Sequence, residues 1–411
     1  MLVICLKSLL CKKNIRITCQ NCIIDVILYK NTLEKFMLEI KEVKNKRDFK
    51  KFVRFPAKLY KGHPYYVPAF EYDEYNLTNP KKNASFNESE AVYFLAYDNG
   101  RIVGRIAGII SHAYNEKNNA KYARFSRFDV ENNKEAGHAL LKAAEDWAKS
   151  KGMENIHGPL GFNDLEREGL LVDGFDTLGT YITAYNYPYY KEIIESYGFE
   201  PDCKWVEWRI PIQGQNIERA NRVSGIVEKR YGFYEKKFTS KKELLNQYGK
   251  KFFSLLDECY KDLYGTIPFN DQLIEQTINQ FLMIIDLDFV SLIFDKDDEL
   301  AGFGLGFPSL AKALNKAKGR YLPFGFLHML KAIKKPKTIE LALIAVKPKY
   351  QKMGLTAVII KNMFGRILKR GNIEYADTGC QLETNAAALS SLDVFNREII
   401  RRRTCYIKKL K

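Results

Sequence analysis

No apolar run in this chain reaches the roughly 18–20 residues that a membrane-spanning helix needs, so no span is expected. The opening residues, MLVICLKSLLCKK, hold a short apolar run with no basic region before it and no small-residue cleavage site after it. That makes a poor signal peptide. Metal ligands are sparse too. Cys19-x-x-Cys22 is followed by no second well-spaced Cys/His pair, so no metal site is expected. Cys203, Cys259, Cys380 and Cys405 lie far apart and read as small core residues, which fits a reduced, cytoplasmic compartment. Nor is there an Arg/aromatic repeat of the kind that tracks a nucleic acid. The formal charge is nevertheless +16, of which residues 1–36 carry +4. Such an excess favours anionic partners, whether nucleic acid, acidic lipid headgroups or a nucleotide cofactor, and its scatter equally fits a Lys-rich composition with no special target.

What is abundant is apolar and aromatic: 46% hydrophobic residues, with 25 Tyr and 26 Phe, indicate buried globular structure rather than disorder. At 411 residues the chain exceeds one ordinary core, and two domains are expected. Residues 1–36 do not read like the rest; they are Cys-rich and without a period. We expect an extension there that is disordered or not translated, with Met37 as the natural start, to be checked by intact mass of the natively expressed protein.

From Met37 the pattern is regular. MLEIKEV alternates as a strand and KRDFKKFVRFPAKLY has helical spacing. Gly62-His63-Pro64-Tyr65-Tyr66-Val67-Pro68 is a stiff aromatic loop in which His63 reads as a packing residue. Residues 92–110 form a hairpin around Asp98-Asn99-Gly100. A strand over 122–130, a helix over 134–151 closed by Gly152, and a short strand to Ile156 follow. Gly158 to Tyr185 interrupts the period with five glycines and several acids, and reads as a structured loop insertion. Asn186 then opens a helix from Lys191, and 204–210 is a strand. After a linker at 211–215 the second half repeats this order. It shows helices near 241–263 and 270–284, a hairpin over 288–307 and a basic insertion at 308–337 with one Pro-flanked helical stretch. A strand over 338–346, a helix over 354–370 stopped by Gly371, a strand over 373–380, a helix over 386–396 and a strand over 404–410 complete it.

Between the strand at 338–346 and its helix lies Gln351-Lys352-Met353-Gly354-Leu355-Thr356. The first N–H groups of a helix have no partners of their own and share the positive end of its dipole, so such a turn is an anion cradle. The spacing Gln-x-x-Gly-x-Thr resembles the pyrophosphate-binding loop of the GNAT acyltransferases, usually Arg/Gln-x-x-Gly-x-Gly/Ala. With the repeated order of elements, everything past residue 36 resembles the tandem GNAT proteins of bacteria. The implied fold is mixed α/β: two GNAT-like domains, 37–210 and 215–411, each a largely antiparallel sheet flanked by helices.

The resemblance implies an N-acyltransferase using acetyl-CoA or another acyl-CoA, with a small-molecule amine as acceptor. The cofactor would be held in the second domain by Gln351, Lys352, Met353, Gly354, Leu355 and Thr356, with Asn385 beside the pantetheine arm. A backbone N–H at Ala345 or Val346 would meet the thioester carbonyl. The general base would be Glu340, the only acid on that strand, or Glu383. The first domain's equivalent turn, 128–137, lacks the glycine pattern and places Asp129, Glu131 and Glu135 where phosphates would sit. It is therefore not expected to bind CoA in the usual way. The family's leaving-group tyrosine falls on Leu392 and Ile193, so both copies depart from the pattern. Asp164, Glu166, Glu168, Asp173 and Asp176 in the insertion suit a cationic or amine-bearing acceptor. Two alternatives stay open: an aminoacyl-tRNA-dependent transferase, and a non-catalytic CoA-binding sensor or scaffold.

Overall fold

The computed structural model describes residues 38–411, so the expected extension over 1–36 lies outside the described residues. The first half begins with β1 (Glu39–Glu42), α1 (Lys46–Leu59) and α2 (Glu71–Leu77). A meander of β2 (Ser89–Asp98), β3 (Arg101–Ser111) and β4 (Tyr122–Val130) follows, with the short α3 (His112–Asn118) between the last two. The β2–β3 turn places Asn99 at φ 52 and Gly100 at φ 73, left-handed positions that Asn and Gly accept at little cost. Next come α4 (Lys134–Ser150), β5 (Asn155–Gly158), β6 (Leu170–Asp173), α5 (Tyr189–Ser196) and β7 (Glu200–Pro211). The α4 helix starts where the Asn133 side chain accepts from Ala136 N–H, and Ala136, Leu140, Ala144 and Ala148 line its buried face at helical spacing.

The second half opens with α6 (Glu218–Tyr231), β8 (Tyr234–Glu235), α7 (Lys241–Tyr260) and α8 (Asp271–Ile284), followed by the hairpin β9 (Val290–Phe294) and β10 (Leu300–Pro308). The basic insertion holds two helices where one was expected, α9 (Ala311–Ala317) and α10 (Gly325–Lys334). Then come β11 (Thr338–Val346), α11 (Leu355–Arg370), β12 (Tyr375–Thr378), β13 (Gln381–Leu382), α12 (Ala386–Ser391) and β14 (Glu398–Lys409). Gly371 closes α11 at φ 66, its N–H bonded to Leu368 O.

The two halves match in register. Tyr122, Ala123 and Arg124 of β4 pair in parallel with β5, as Thr338, Ile339 and Glu340 of β11 pair with β12. Beyond the pairing, Leu160 N–H bonds Phe125 O in the first half and Gly379 N–H bonds Leu341 O in the second. At the far end Glu131 N–H meets Val103 O, as Lys347 N–H meets Ala301 O. The duplication is thus repeated down to single hydrogen bonds.

All twelve strands of the main path form one sheet, in the order β1-β2-β3-β4-β5-β14-β7-β12-β11-β10-β9-β8. The halves exchange their last strands. β7 pairs with β12 and β13 of the second half, and β14 pairs with β5 and β6 of the first. β7 and β14 pair with each other between them. Glu207 on β7 is buried at this seam between Arg401 and Arg403 of β14, at 2.8 and 2.5 Å. The same arginines donate to Leu178 O and Gly169 O, so the seam also holds the 158–185 insertion in place.

Candidate functional site

The parallel pairing of β11 with β12 ends at Leu341 and Thr378, yet β11 continues to Val346. A wedge-shaped gap opens between them. In an antiparallel pair, alternate residues send N–H and C=O to the same side. Lys347 bonds β10 through Ala301, so Val346 and Ile344 turn toward the gap, whereas Ala345, opposite Phe303, turns toward β10. Tyr260 Oη–H donates to Ile344 O at 3.0 Å, and Cys259 Sγ–H and Gln351 Nε2–H to Val346 O at 3.3 Å each. Among the described residues no side chain accepts from the Val346 N–H. Of the two expected carbonyl donors, Val346 therefore faces the opening and Ala345 does not.

The loop leaves this gap through Pro348–Tyr350, a single 3₁₀ turn, and reaches α11 with Lys352 at φ 66 and Gly354 at φ 83. Among the described residues no side chain caps α11, so its first N–H groups stay available beside exposed Gln351 and Lys352. Gly354 has a structural reason of its own. A Cβ there would lie 3.0 Å from Val227 Cγ2 and 3.2 Å from Val223 Cγ1, side chains of α6 that cover the turn. Met353 packs in the same cluster, while Leu355 is buried and Thr356 half-buried.

The gap opens into a cavity of about 260 Å³. Its floor is apolar, built from Ile359, Ile360, Met363 and Phe364 of α11 and from Leu392 and Phe395. Asn385, which caps α12 by accepting from Ala388 N–H, also lines it. Asn186 of the first half does not cap a helix. Its amide clamps Leu171 N–H and O, tying down the insertion, and α5 starts after Pro188 instead. At the opposite end the insertion supplies Asp164, Glu166 and Glu168, beside Tyr260 and Tyr264. Burial pushes the Glu168 carboxyl up to about 8, with Asp164 adding to the shift. Asp164 is raised by burial too, and its Oδ1 has no partner among the described residues. Glu166 is bound to Arg127, which Glu74 flanks on its other side. Asp173 and Asp176 are exposed and border neither end.

The two acids expected as bases lie elsewhere. Glu340 is fully buried, accepting from Ser309 Oγ–H at 2.7 Å and from Tyr181 N–H at 3.2 Å. Burial lifts it to about 7. Glu383 is exposed and bound to Arg402 at 2.6 Å. Neither borders the cavity. Glu168 was visible in the sequence only as one of five acids in an irregular loop; which of them turns inward is decided by the seam that anchors the loop.

The first half carries the same gap, and it is closed. Val130 occupies the place of Val346, and its N–H donates to Tyr190 Oη at 2.9 Å while its carbonyl accepts from Tyr189 Oη–H at 2.7 Å. Tyr190 is held in turn by Tyr60, whose hydroxyl also reaches Asp129, the partner of Arg105.

No protein-family model matches the chain. Protein YghO of Escherichia coli strain K12 is 24% identical over 375 residues, covering 89% of this chain and 94% of that protein. The bacterial ceramide synthase of Caulobacter vibrioides strain NA1000 / CB15N is 26% identical over 325 residues, covering 76% and 82%. Among solved structures, a tandem GNAT protein from the clavulanic acid biosynthesis pathway superposes with a TM-score of 0.54 at 11% identity, over 91% of this chain and 99% of that one. The fold is accordingly that of two GNAT units in tandem.

Proposed function

We propose that this chain is an acyl-CoA-dependent N-acyltransferase, with the β11–β12 gap as its thioester site and an amine acceptor at the acidic end of the cavity. The observation that carries this reading is the contrast between the halves: among the described residues the gap-facing N–H meets no acceptor at Val346 and is capped by Tyr190 at Val130. The acyl-CoA, acetyl or longer, supplies an acyl group activated as a thioester. The uncapped start of α11, with Gln351, Lys352 and Thr356, holds its pyrophosphate, and Asn385 orients the pantetheine arm. Val346 N–H donates to the carbonyl oxygen and stabilises the negative charge that develops when the amine adds. Glu168 takes the proton from the amine. The C–S bond then breaks, the amide forms, and CoA leaves as a thiolate that takes up a proton from the protonated Glu168 or from water. We assign Glu168 the role of base over Glu340 and Glu383 because it alone of the three borders the cavity, with a carboxyl near 8 suited to proton transfer close to neutrality. Tyr260 offers a hydroxyl in the same gap.

The apolar floor supports an extended hydrocarbon on the acyl group, the acceptor or both. The ceramide synthase likeness supports the same class, since a ceramide is the amide of a long-chain amino alcohol. Calorimetry with acetyl-CoA and long-chain acyl-CoAs tests the first step, with one site per chain expected. Thiol release over a panel of amines tests the second. Glu168→Gln should keep acyl-CoA binding and lose turnover. Absence of any acyl-CoA binding would remove the reading, and full turnover by Glu168→Gln would remove the assigned base.

A further inference from the structure

The basic insertion has no role in the reaction above. Between Pro308 and Lys337 it carries eight Lys/Arg and no Asp or Glu. Two of the eight are paired, Arg320 with Glu71 and Lys337 with Glu374. Lys312, Lys316, Lys318, Lys331, Lys334 and Lys335 are exposed and have no salt bridge among the described residues. The same segment holds five of the chain's exposed large apolar side chains. Leu322 is 75% and Phe324 67% exposed on the loop before α10, followed by Phe326, Leu327 and Leu330 on the helix itself. Met329 is buried, with Ala332 and Ile333 packed beside it, so α10 is fixed by one face while Phe326, Leu327 and Leu330 point away.

We propose that α10 and the Leu322–Phe324 loop form an interfacial anchor that seats this protein on an anionic lipid bilayer. Single exposed apolar residues need no explanation, but five in nine positions form a contiguous patch. A short helix with an outward apolar stripe and flanking lysines lies in the headgroup plane with its apolar side chains dipped into the acyl boundary. The six unpaired lysines meet the negative lipid surface. A nucleic acid would use the lysines but leave Leu322, Phe324 and Leu327 in water. A second copy of this chain would bring six more lysines against them. The anchor packs on the cluster containing Ile182, Phe281, Phe307 and Ala342, all of which also line the cavity. An apolar substrate dissolved in the bilayer would thus be one layer from the site. The anchor itself does not depend on the reaction proposed above.

Co-sedimentation with phosphatidylcholine vesicles containing a quarter phosphatidylglycerol, at about 0.1 M salt, tests this. The intact chain should pellet with these vesicles and not with phosphatidylcholine alone. Leu322→Asp/Phe324→Asp should lower the vesicle partition coefficient at least ~10-fold. Lys331→Glu/Lys334→Glu/Lys335→Glu should lower it roughly 100-fold or more. Both variants alter only exposed side chains, and an unchanged circular dichroism spectrum verifies that they fold. No binding to the anionic vesicles overturns the proposal, as does binding that neither variant weakens. Equal binding to an RNA of matched charge, lost in the lysine variant but kept in Leu322→Asp/Phe324→Asp, overturns it in favour of nucleic acid. A dimer in sedimentation that Leu322→Asp/Phe324→Asp dissolves, without vesicle binding by the intact chain, overturns it in favour of self-association.

Discussion

Replacing Glu207 by Gln removes one negative charge from a seam that holds two positive ones. The side chains of Glu207 and Arg401 are wholly inaccessible and that of Arg403 nearly so. With Gln in place, shape and one acceptor oxygen remain, but two guanidinium groups are left buried without a counter-charge. Removing one partner of a buried ion pair costs about 3–5 kcal/mol. Here both arginines share the same carboxylate, and Arg401 Nη2 already lacks a partner among the described residues, so the upper end is expected. Against a total stability of about 5–15 kcal/mol, such a loss takes much of the margin. The assay is equilibrium urea unfolding at neutral pH, followed by far-ultraviolet circular dichroism and by fluorescence of Trp205 and Trp208. The pH dependence has a definite sign. The arginines hold the Glu207 carboxyl below its usual range, outweighing the opposing effect of burial. Its contribution is therefore complete above the ordinary carboxylate pKa and is lost as pH falls through the lower folded value. The variant should lie well below the natural chain at pH 7 and approach it in acid. A loss under about 1 kcal/mol at pH 7 would refute the view that this triad holds the halves together.

Substitutions at three further positions have definite expected outcomes. A Glu168 carboxyl at about 8 makes turnover rise through pH 8, and Glu168→Gln should abolish that limb. The same raised value means that folding stability falls between the ordinary carboxylate range and pH 8, so Glu168→Gln should unfold at higher urea than the natural chain at pH 9 and not at pH 4. Gly354→Ala must accept a positive φ and a close approach to Val227 and Val223, costing about 1–3 kcal/mol in urea unfolding. Part of that cost should vanish in a Val227→Ala background, read from a double-mutant cycle. Tyr190→Phe leaves the buried Val130 N–H without its acceptor and should cost about 1–3 kcal/mol. Calorimetry should still find one acyl-CoA site, because Asp129 and the acidic 129–135 turn remain.

Most strands of both halves could be read from sequence because β-rich apolar runs such as 122–130 and 338–346 end at polar or proline-containing turns. The short β6, β8 and β13 offer no run long enough to register. The α6 helix was missed for a physical reason: its buried stripe is only Ala220, Ser224 and Val227, too sparse to register as amphipathic. The short α2 buries no residue at all and left no signal. The loop before α11 was legible as a β–turn–α connection. What shields Gly354 was not, since Val223 and Val227 belong to a helix over a hundred residues earlier. Glu340 illustrates the converse. An acid on a strand looks catalytic until Tyr181 N–H and Ser309, from distant segments, seal it. The division of the insertion's acids into inward Asp164, Glu166 and Glu168 and outward Asp173 and Asp176 follows from bonds to Arg127, Arg401 and Arg403 that span tens to hundreds of residues.

The exchanged strands also set a schedule for synthesis. When the first half leaves the ribosome, β5 presents an open edge whose partner, residues 398–409, has not yet been made. β7 waits likewise for strands on both sides. Until the last segment arrives, this nascent sheet is unfinished and open to wrong pairing, the condition that chaperones and slow, long-range folding address. A chain cut in the 211–215 turn should accordingly yield two fragments that are soluble when made together and aggregate when made apart.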